Sequence, residues 1–506
     1  MTTPIPAPAD GARLTCDVLV IGLGAGGGMV LRDCARAGLK VLGLEQGPRL
    51  SRGEYTQRED QMFPRLFEAG GGTATHDMAI RVLYGRGVGG STLHNTNLCK
   101  RAPDAVLEHW GRDFGLSDWS PARMAEDFAS VERDLSVSLI AEGDINKHNA
   151  AMQRGIQALG WRGGVLSHNR VGCMKSGFCE LGCAYNAKQN SAKVLVPEAE
   201  QWGAQVLSGA RVTRVRHRAG GVSGADVECT DAAGHGVARI RVDARVVVMA
   251  SGAVGSSALA QRSNLTDPYS QAGEGLRLHP GALVAGIFDE PVDAHQGIPQ
   301  SVDCTQWLDH TPGSRARVWL IPVFAHPIGT ASTMSGFGAV HMRAMRSFRH
   351  MAVFCAMVHD ETWGQVKAMP DGRTQLRYTM NPADTAQLGL GLKAASQLMF
   401  AAGAREVIAP GRARHVWSNA SELPDVDWSF ARPHAIPLSA VHPMGGMRMG
   451  ADPRRSAVGP QGEHHHIRGL FVADGSVFPT SIGGPPQISI YTFAHRIARS
   501  VIAAAR

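Results

Sequence analysis

The feature that most constrains the fold is a strand, glycine turn, helix and strand pattern near the N-terminus. Residues 16–21 form a short apolar run typical of a buried parallel strand, and the glycine-rich residues 22–27 follow directly. A helical pattern over 29–37 precedes a second apolar run, 41–44. Glycines at this spacing let a helix N-terminus approach a pyrophosphate, and an acid after the second strand accepts hydrogen bonds from a ribose diol. The pattern predicts a βαβ dinucleotide site whose contacts are Gly22, Gly24, Gly27 and Glu45.

A second glycine-rich segment, residues 84–97, is too flexible to persist without a ligand or close packing. We predict that it lies along the cofactor through Gly85, Gly90 and Ser91, with the side-chain amide of Asn95 near the reactive ring. An ordinary glycine-rich surface loop is the alternative interpretation.

Further segments indicate how the chain is organised into domains. Residues 246–259 again read as a strand, a tight turn and the start of a helix, so the nucleotide domain is assembled from distant parts of the chain. Apolar runs such as 282–288 and 352–358 predict an antiparallel sheet that roofs the cofactor. The fold class is therefore α/β, with a Rossmann-type domain and an α+β substrate domain. The predicted ranges are 12–100, 190–275 and 435–506 for the cofactor domain, and 101–189 and 276–434 for the substrate-binding or cap domain.

Composition limits the remaining function classes. The 506 residues carry a net charge of +7, but Lys and Arg are scattered, so we expect no nucleic-acid binding. Residues 1–15 are polar and no apolar run approaches 18 residues, so we expect neither a secretory signal nor a transmembrane helix. Nine cysteines without a regular framework favour a reduced, cytoplasmic setting.

Two motifs near the C-terminus complete an ordered series. Residues 441–450 place His442 just before a Gly-Gly turn, and residues 469–475 are typical of the end of a flavin enzyme. With the N-terminal motifs, the series resembles the glucose–methanol–choline oxidoreductases over nearly the whole chain. The bacterial cholesterol-oxidase and long-chain-alcohol-oxidase branch is the most similar. The other matching segments are residues 22–27, 85–95, 252–259 and 278–280.

The resemblance implies FAD rather than NAD as the cofactor and a CH–OH group as the electron donor. Within it, the backbone of Val212 meets the adenine and Asp474 lies by the ribityl–pyrophosphate. Some family members bond the flavin covalently through a histidine at the position of His94, whereas others have the histidine without the bond. We expect the non-covalent form here.

His442 is the predicted catalytic base. Its ordinary pKa, near neutrality, allows it to take a hydroxyl proton while hydride passes from the alcohol carbon to the flavin N5. The family usually places Asn or His opposite this base, but Pro485 occupies that position and has no side-chain donor or acceptor. Gln487 is the nearest amide that can substitute, and backbone packing is its alternative role.

A cysteine cluster and the proline substitution keep other functions open. Cys173, Cys179 and Cys183 have a spacing similar to that in iron–sulfur dehydrogenases of the same family, although buried thiols or a disulfide are favoured and no metal is expected. The leading hypothesis is oxidation of an apolar alcohol, such as a sterol, a terpenoid or a long-chain alcohol. A non-redox lyase of the hydroxynitrile type and an iron–sulfur subunit that relays electrons to a partner are the alternatives.

A methionine- and phenylalanine-rich stretch bears on the substrate and on partners. Residues 334–357 combine eight Met and Phe positions with Arg343, Arg346 and Arg349. Core packing is the usual explanation, and a deformable wall for a lipophilic substrate is the other. The interleaved arginines also suit an amphipathic helix at a pocket mouth, so contact with a membrane surface is a further expectation. The sequence leaves oxygen, a quinone and a protein open as electron acceptors.

Overall fold

The computed structural model describes residues 8–231, 234–323, 326–334, 336–411 and 415–506. Its helices are α1 (Ala25–Arg36), α2 (Glu59–Leu66), α3 (Asp104–Phe114), α4 (Pro121–Asp134), α5 (Lys147–Leu159), α6 (Val196–Gln201), α7 (Gly252–Arg262), α8 (Pro327–Thr333), α9 (Gly338–Arg346), α10 (Pro382–Ala401) and α11 (Gln487–Ala505).

The strands are β1 (Arg13–Ile21), β2 (Val41–Glu45), β3 (Ile80–Val82), β4 (Leu98–Cys99), β5 (Val137–Leu139), β6 (Gly163–Val165), β7 (Ser167–Asn169), β8 (Gln205–Ser208), β9 (Ala210–Arg218), β10 (Gly221–Thr230), β11 (Gly236–Met249), β12 (Glu274–Arg277), β13 (Gly281–Ile287), β14 (Val302–Cys304), β15 (Val318–Pro322), β16 (Met351–Val358), β17 (Gly364–Ala368), β18 (Thr374–Arg377), β19 (Glu406–Ala409), β20 (His415–Trp417), β21 (Leu438–Ala440), β22 (Met444–Gly446) and β23 (Leu470–Val472).

The first sheet is built on parallel strands that end at one edge. Its order is β8-β2-β1-β11-β10-β9, and β23 also pairs with β11. Strands β8, β2, β1, β11 and β23 run parallel, whereas β10 and β9 form an antiparallel extension. Ligands of such sheets bind beyond the carboxyl ends of the strands. The chain segments that leave β1, β2, β11 and β23 therefore meet where a dinucleotide is expected.

Helix α1 begins earlier than the sequence pattern predicts. The periodicity predicts a helix from residue 29, but α1 starts at Ala25 and takes the glycines into its first turns. A Cβ atom at Gly26 would lie 1.7 Å from the carbonyl oxygen of Ala473, and one at Gly28 would lie 1.9 Å from Oγ of Ser191. These helical positions are glycine because the helix packs too closely on its neighbours to leave room for any side chain.

A second, nine-stranded sheet confirms the predicted antiparallel layer. Its main order is β20-β19-β13-β16-β15-β14-β6, and β21 and β3 pair at the side of β13. The segment that contains residues 352–358 is the central strand β16, whose side chains are all buried. Two smaller sheets have the strand orders β18-β17-β12-β22 and β4-β7-β5.

Two large cores follow the two sheets. The first surrounds the parallel strands, α1 and α11, and the second lies between the nine-stranded sheet, α5 and α10. Helices α3 and α4, from the segment predicted for the cap, bury their apolar faces in the first core. The predicted domain ranges stay a prediction. Within the described residues, no helix is long and apolar enough to cross a membrane.

Candidate active site

A cavity of about 1510 Å³ lies between the two sheets. One end is formed by the carboxyl edge of the parallel sheet, and the other is covered by the nine-stranded sheet. Twelve of the thirteen residues predicted for cofactor binding or catalysis line it: Gly22, Gly24, Glu45, Gly85, Gly90, Ser91, His94, Asn95, Val212, Asp474, His442 and Gln487. Gly27 is the one that does not.

The glycine turn separates two roles among the predicted contacts. Gly22 has a φ of +92°, and its Cβ would lie 2.5 Å from the carbonyl oxygen of Ala250. A Cβ at Gly27 would lie 1.8 Å from the carbonyl oxygen of Gly22. Both glycines therefore serve backbone packing. Gly24 has no atom nearer than 3.9 Å to a built Cβ, so its missing side chain leaves the cavity open above α1.

Glu45 ends β2 at the cavity wall and is buried. Its carboxylate accepts hydrogen bonds from the backbone N–H groups of Leu23 at 3.0 Å, Gly47 at 2.9 Å and Gly87 at 3.2 Å. Burial raises the pKa of Glu45, and the three amides oppose that rise. The acid thus joins the two glycine-rich segments, and its remaining lone pairs are available to a ribose diol.

The second glycine-rich segment folds over the first. The N–H of Gly85 donates to Oγ of Ser91 at 2.8 Å, and a Cβ at Gly90 would lie 2.9 Å from Cα of Gly24. Lys188, which the sequence analysis did not assign, is buried beneath this loop. Its ammonium donates to the carbonyl oxygens of Leu93 and Cys179 at 2.9 and 3.0 Å, and also to that of Asn95. Burial lowers the pKa of Lys188 to about 8.

His94 and Asn95 come at the end of this loop. The ring of His94 packs on Phe67 with centroids 4.0 Å apart, and among the described residues its buried Nε2 has no hydrogen-bond partner. Burial first, and the charge of Lys188 second, lower the pKa of His94 to about 3. Asn95 donates from Nδ2 to Oε1 of Gln487 at 2.7 Å.

Gln487 is the first residue of α11, and its amide is used within the protein. Its Oε1 accepts from Asn95, and its Nε2 donates to the carbonyl oxygen of Leu98 at 2.8 Å. A further contact joins Nε2 to Oδ1 of Asn169 at 3.3 Å. This arrangement matches the packing interpretation of Gln487, while its direct participation in catalysis stays a prediction.

Asp474 follows β23 at the opposite side of the glycine turn. Its Oδ2 accepts from the N–H of Gly252 at 2.8 Å and from Oγ of Ser256 at 2.6 Å, while Oδ1 accepts from the N–H of Ser476 at 2.8 Å. Burial raises the pKa of Asp474. Val212, on β9, lines the same end of the cavity.

These features fit a flavin dinucleotide. No side chain caps the N-terminus of α1, so its first backbone N–H groups are left for an anion at the cavity wall. Gly24 leaves room above them, Glu45 lines the cavity at the end of β2, and His94, whose Nε2 has no partner among the described residues, lines the same cavity. Gly24, Glu45 and His94 would contact FAD in this arrangement, and the assignment of the individual contacts stays a prediction.

His442 lines the cavity from the loop that connects β21 of the nine-stranded sheet to β22, and it is half-buried. Burial lowers the pKa of its imidazole to about 4, so the ring is neutral at pH 7 and can accept a proton. Nδ1 of His442 lies 3.4 Å from Nδ1 of His279, a residue to which the sequence analysis gave no role. The Leu-His-Pro segment 278–280 was noted as part of the family resemblance, but no neighbouring residue indicates that His279 contacts His442. Pro485 lines the cavity nearby.

The three cysteines of the candidate cluster lie away from the cavity lining. Cys173, Cys179 and Cys183 are free thiols, as are all nine cysteines of the chain. Burial raises the pKa of the Cys179 thiol to about 11. In the described ranges no group of three or more His, Cys, Asp or Glu residues is arranged to hold a metal ion.

The nine-stranded sheet gives the cavity an apolar wall. The wall comes from β13, β15, β16 and β19 of the nine-stranded sheet. Its lining side chains are Leu283, Trp319, Met351, Val353, Cys355, Met357 and Ile408. The methionine-rich stretch thus divides into two parts, because Met351 and Met357 are buried in β16 while α9 ends at Arg346.

Comparisons with known proteins agree with this arrangement. A family profile described as GMC oxidoreductase matches residues 63–281 with its N-terminal part and residues 360–494 with its C-terminal part. An uncharacterized GMC-type oxidoreductase of Mycobacterium tuberculosis is 33% identical over 499 residues, covering 98% of this chain and 77% of the relative. Long-chain-alcohol oxidase FAO4A of Arabidopsis thaliana is 28% identical over 512 residues, covering 97% of this chain and 69% of the relative.

Solved structures share the fold at low sequence identity. Pyridoxine 4-oxidase from Mesorbium loti superposes with a TM-score of 0.71 at 17% identity, covering 96% of this chain and 99% of that one. A formate oxidase variant of Aspergillus oryzae with an effect on FAD modification gives a TM-score of 0.70 at 13% identity, covering 98% of this chain and 99% of that one.

Proposed function

The chain belongs to the glucose–methanol–choline (GMC) oxidoreductase family and is an FAD-dependent oxidoreductase, and from this premise we propose that it oxidises the CH–OH group of an apolar alcohol. The observation that carries the proposal is that His442 lines one cavity together with the two glycine-rich segments and the apolar side chains of the nine-stranded sheet. We expect it to meet a hydroxyl group whose carbon chain lies along that sheet.

Each group at the site has a separate role in the proposed reaction. FAD, when bound, supplies the two-electron acceptor for the hydride that leaves the carbinol carbon. His442, neutral at pH 7, receives the hydroxyl proton, so the alcohol becomes a carbonyl compound. The hydrogen bonds of Lys188 and Gln487 to the loop hold Asn95 at the cavity wall. The apolar side chains exclude water from the reacting groups.

The apolar wall supports a long-chain or polycyclic substrate. Burying one methylene group contributes about 0.8 kcal/mol, which is roughly a fourfold gain in kcat/KM for each added carbon. We therefore expect kcat/KM to rise along 1-butanol, 1-hexanol, 1-octanol and 1-decanol until the cavity is filled. A Met357→Asp variant places a charge in the wall and is expected to remove this dependence. Equal kcat/KM values along the series would contradict an apolar substrate site.

Anaerobic mixing tests the reaction class. The FAD-loaded protein is mixed without air with primary alkanols, terpenoid alcohols and sterols, and the visible flavin absorbance is followed. Bleaching by an alcohol supports oxidation, whereas a lyase of the hydroxynitrile type leaves the flavin oxidised. Absence of bleaching with every alcohol of the panel would overturn the proposal.

We propose molecular oxygen as the electron acceptor, since similar proteins of known activity are named oxidases. Admission of air to the bleached protein is expected to restore the flavin colour and to yield hydrogen peroxide.

Iron and sulfide analysis of protein prepared without air tests the relay-subunit alternative, because a cluster at Cys173, Cys179 and Cys183 requires stoichiometric iron.

Precipitation of the protein with acid tests whether the flavin is bonded to His94. We expect the yellow colour to remain in the supernatant, which indicates a non-covalent flavin.

A surface beside the cavity mouth supports contact with a membrane. Thr333 and Met334, at the end of α8, line the cavity. Phe337, directly before α9, is 93% exposed, and Met342, on α9, is 59% exposed. Arg343 and Arg346 lie on the same helix. Apolar side chains flanked by cations suit the surface of an anionic bilayer, from which a lipophilic alcohol can enter the cavity.

Vesicle sedimentation tests this contact. The protein is expected to sediment with phosphatidylglycerol vesicles and less with phosphatidylcholine vesicles. Phe337→Asp combined with Met342→Asp is expected to abolish sedimentation. Trp202→Asp, at a site that is 57% exposed and outside the cavity lining, is the matched control and is expected to sediment normally. Equal loss in both variants would contradict a specific surface.

A further inference from the structure

The imidazole of His442 has one hydrogen-bonding partner among the described residues. Nδ1 of His442 lies 3.4 Å from Nδ1 of His279, and the two rings meet edge to face at 86°. His279 is outside the cavity lining, so it stands behind His442 and not beside the substrate. Because Nδ1 of His442 faces His279, Nε2 is the nitrogen that remains for the cavity.

His279 is itself held from two directions. Its side chain is buried, and the backbone N–H groups of Leu278 and His279 donate to the carboxylate of Asp360 at 3.0 and 3.3 Å. Its φ of +53° is in the left-handed region, which non-glycine residues rarely adopt and which persists where surrounding contacts enforce it. The backbone that carries the His279 ring is therefore held in place by Asp360.

The far nitrogen of His279 meets two different groups of one loop. The backbone N–H of Gly483 donates to Nε2 at 3.1 Å, and Oγ of Ser481 lies 2.5 Å from the same nitrogen. A backbone amide can only donate, whereas a serine hydroxyl can either donate or accept. The loop thus allows His279 two neutral tautomers and gives them different partners.

The two tautomers have opposite consequences for His442. When Nε2 of His279 accepts from Gly483, its proton lies on Nδ1 and is donated to Nδ1 of His442, whose own proton then lies on Nε2. When Nε2 of His279 instead donates to Ser481, Nδ1 of His279 accepts from Nδ1 of His442, and Nε2 of His442 is free. Each arrangement holds two ring protons, and exchange with water interconverts them.

We propose that Ser481 and His279 form a tautomer switch that decides whether His442 presents a donor or an acceptor to the cavity. Only the acceptor state can take the hydroxyl proton of an alcohol, so this inference rests on the proposed function. Ser481 is the group that makes this state accessible, because Gly483 supports the donor state alone. His279 and Ser481 are positioning residues, since they act through His442.

The other titratable groups near His279 do not replace Ser481 as the hydrogen-bond acceptor for its ring. His359 lies edge to face with His279, with ring centroids 6.3 Å apart, and its Nε2 contacts the carbonyl oxygen of Ser481 at 3.1 Å. His310 packs against His359 with centroids 5.3 Å apart. Asp360 contacts the backbone of His279 and accepts from the hydroxyl of Tyr378. None of these four side chains has a hydrogen bond to the ring of His279 among the described residues.

Nitrogen NMR reads the switch without any substrate. FAD-loaded protein is prepared with ¹⁵N-labelled histidine rings, and the His442 signals are assigned by their absence in His442→Gln. The wild type is expected to show ring shifts averaged between the two tautomers. Ser481→Ala removes the hydroxyl acceptor and is expected to move His442 to the form protonated on Nε2. Ser481→Thr, which keeps the hydroxyl, is expected to retain the wild-type shifts.

Flavin reduction by 1-decanol provides the second measurement. Ser481→Ala is expected to reduce the rate constant about tenfold, the effect of losing one hydrogen bond of ordinary strength, with FAD content unchanged. Ser481→Thr is expected to restore the rate. Unchanged His442 shifts in Ser481→Ala and in His279→Phe would overturn the switch. If 1-decanol and all other alcohols fail to bleach the wild type, the proposed function fails, whereas the NMR shifts still decide the switch.

Discussion

The two ends of the cavity are built in different ways. At the dinucleotide end, the fit depends on backbone and on missing side chains: Gly24 leaves the space, and α1 supplies uncapped N–H groups. At the apolar end, which includes His442, it depends on side chains from separate segments, such as His442 and His279, which are 163 positions apart. The first end is encoded in short motifs, while the second exists only after folding.

From this difference we expect substitutions of the closely packed glycines at the dinucleotide end to be more disruptive than substitutions in the apolar wall. Backbone carbonyls cannot move away from a new Cβ, whereas side chains in an apolar wall can repack. Variants at the two ends are therefore expected to fail in different measurements: cofactor retention and stability at one end, rate and specificity at the other.

The largest expected effect is at the apolar end of the cavity, which includes His442. His442→Ala is expected to slow flavin reduction by roughly 10²–10⁴-fold, the usual contribution of a positioned general base. FAD content is expected to remain normal, since His442 has no hydrogen bond to the glycine-rich segments. Stopped-flow absorbance measures the rate, and His434→Ala, at an exposed histidine, is the control. A variant that loses FAD along with its rate would break the separation of the two ends.

Glu45 gives the corresponding test at the dinucleotide end. Glu45→Ala is expected to weaken FAD binding by about 1.5–3 kcal/mol, because a charged hydrogen-bond acceptor is lost. It also removes the acceptor of three backbone N–H groups, so the apoprotein is expected to lose stability as well. Glu45→Gln keeps one acceptor oxygen and is the matched variant. Flavin reduction at saturating FAD is expected to persist; its loss would show that Glu45 acts in the reaction.

A pair of glycine substitutions sharpens the distinction within the dinucleotide end. Gly26→Ala brings a Cβ within 1.7 Å of the carbonyl oxygen of Ala473 and is expected to cost about 1–3 kcal/mol of unfolding free energy. Gly24→Ala meets no atom within 3.9 Å, so the apoprotein is expected to unfold at the wild-type temperature while FAD binds about tenfold more weakly. Equal thermal stability of both apoproteins would contradict the separate roles of these glycines.

The smallest expected effect is a pH dependence of stability. Burial lowers the pKa of His148 to about 4 and that of His168 to about 3. Since the unfolded chain binds their protons below an ordinary pKa of about 6.5, each contribution is complete above that pH and is lost as the pH falls toward the folded value. When the pH falls from 7.5 to 6, each histidine is expected to lower the free energy of unfolding by roughly 0.8 kcal/mol.

Urea unfolding of the FAD-loaded protein at the two pH values measures this loss. His148→Gln is expected to lose less stability on acidification than the wild type, because Gln does not titrate. His415→Gln, at a residue that is not buried, is the control and is expected to retain the wild-type loss. An identical loss in all three proteins would assign the acid sensitivity to other groups.

Much of the fold follows from the sequence because its signals are local. The apolar run of residues 16–21, the glycines and the acid at Glu45 stand within one βαβ unit, and the family resemblance extends this to FAD. The start of α1 was less predictable, since only the approach of Ala473 shows why its first turns consist of glycine. The division of the methionine-rich stretch between α9 and β16 likewise depends on strand pairing.

By itself, the sequence determined the α/β class, because short-range periodicity and backbone geometry specify it. The sequence also predicts the dinucleotide contacts, and the family resemblance predicts His442 as the base. Only the tertiary structure decided what stands behind His442. Pro485 leaves a gap in the motif, and the group that contacts the base comes from the segment after β12. It also committed the amide of Gln487 to Asn95 and Leu98. Contacts between distant side chains depend on how strands pair and loops fold, and no local pattern records them.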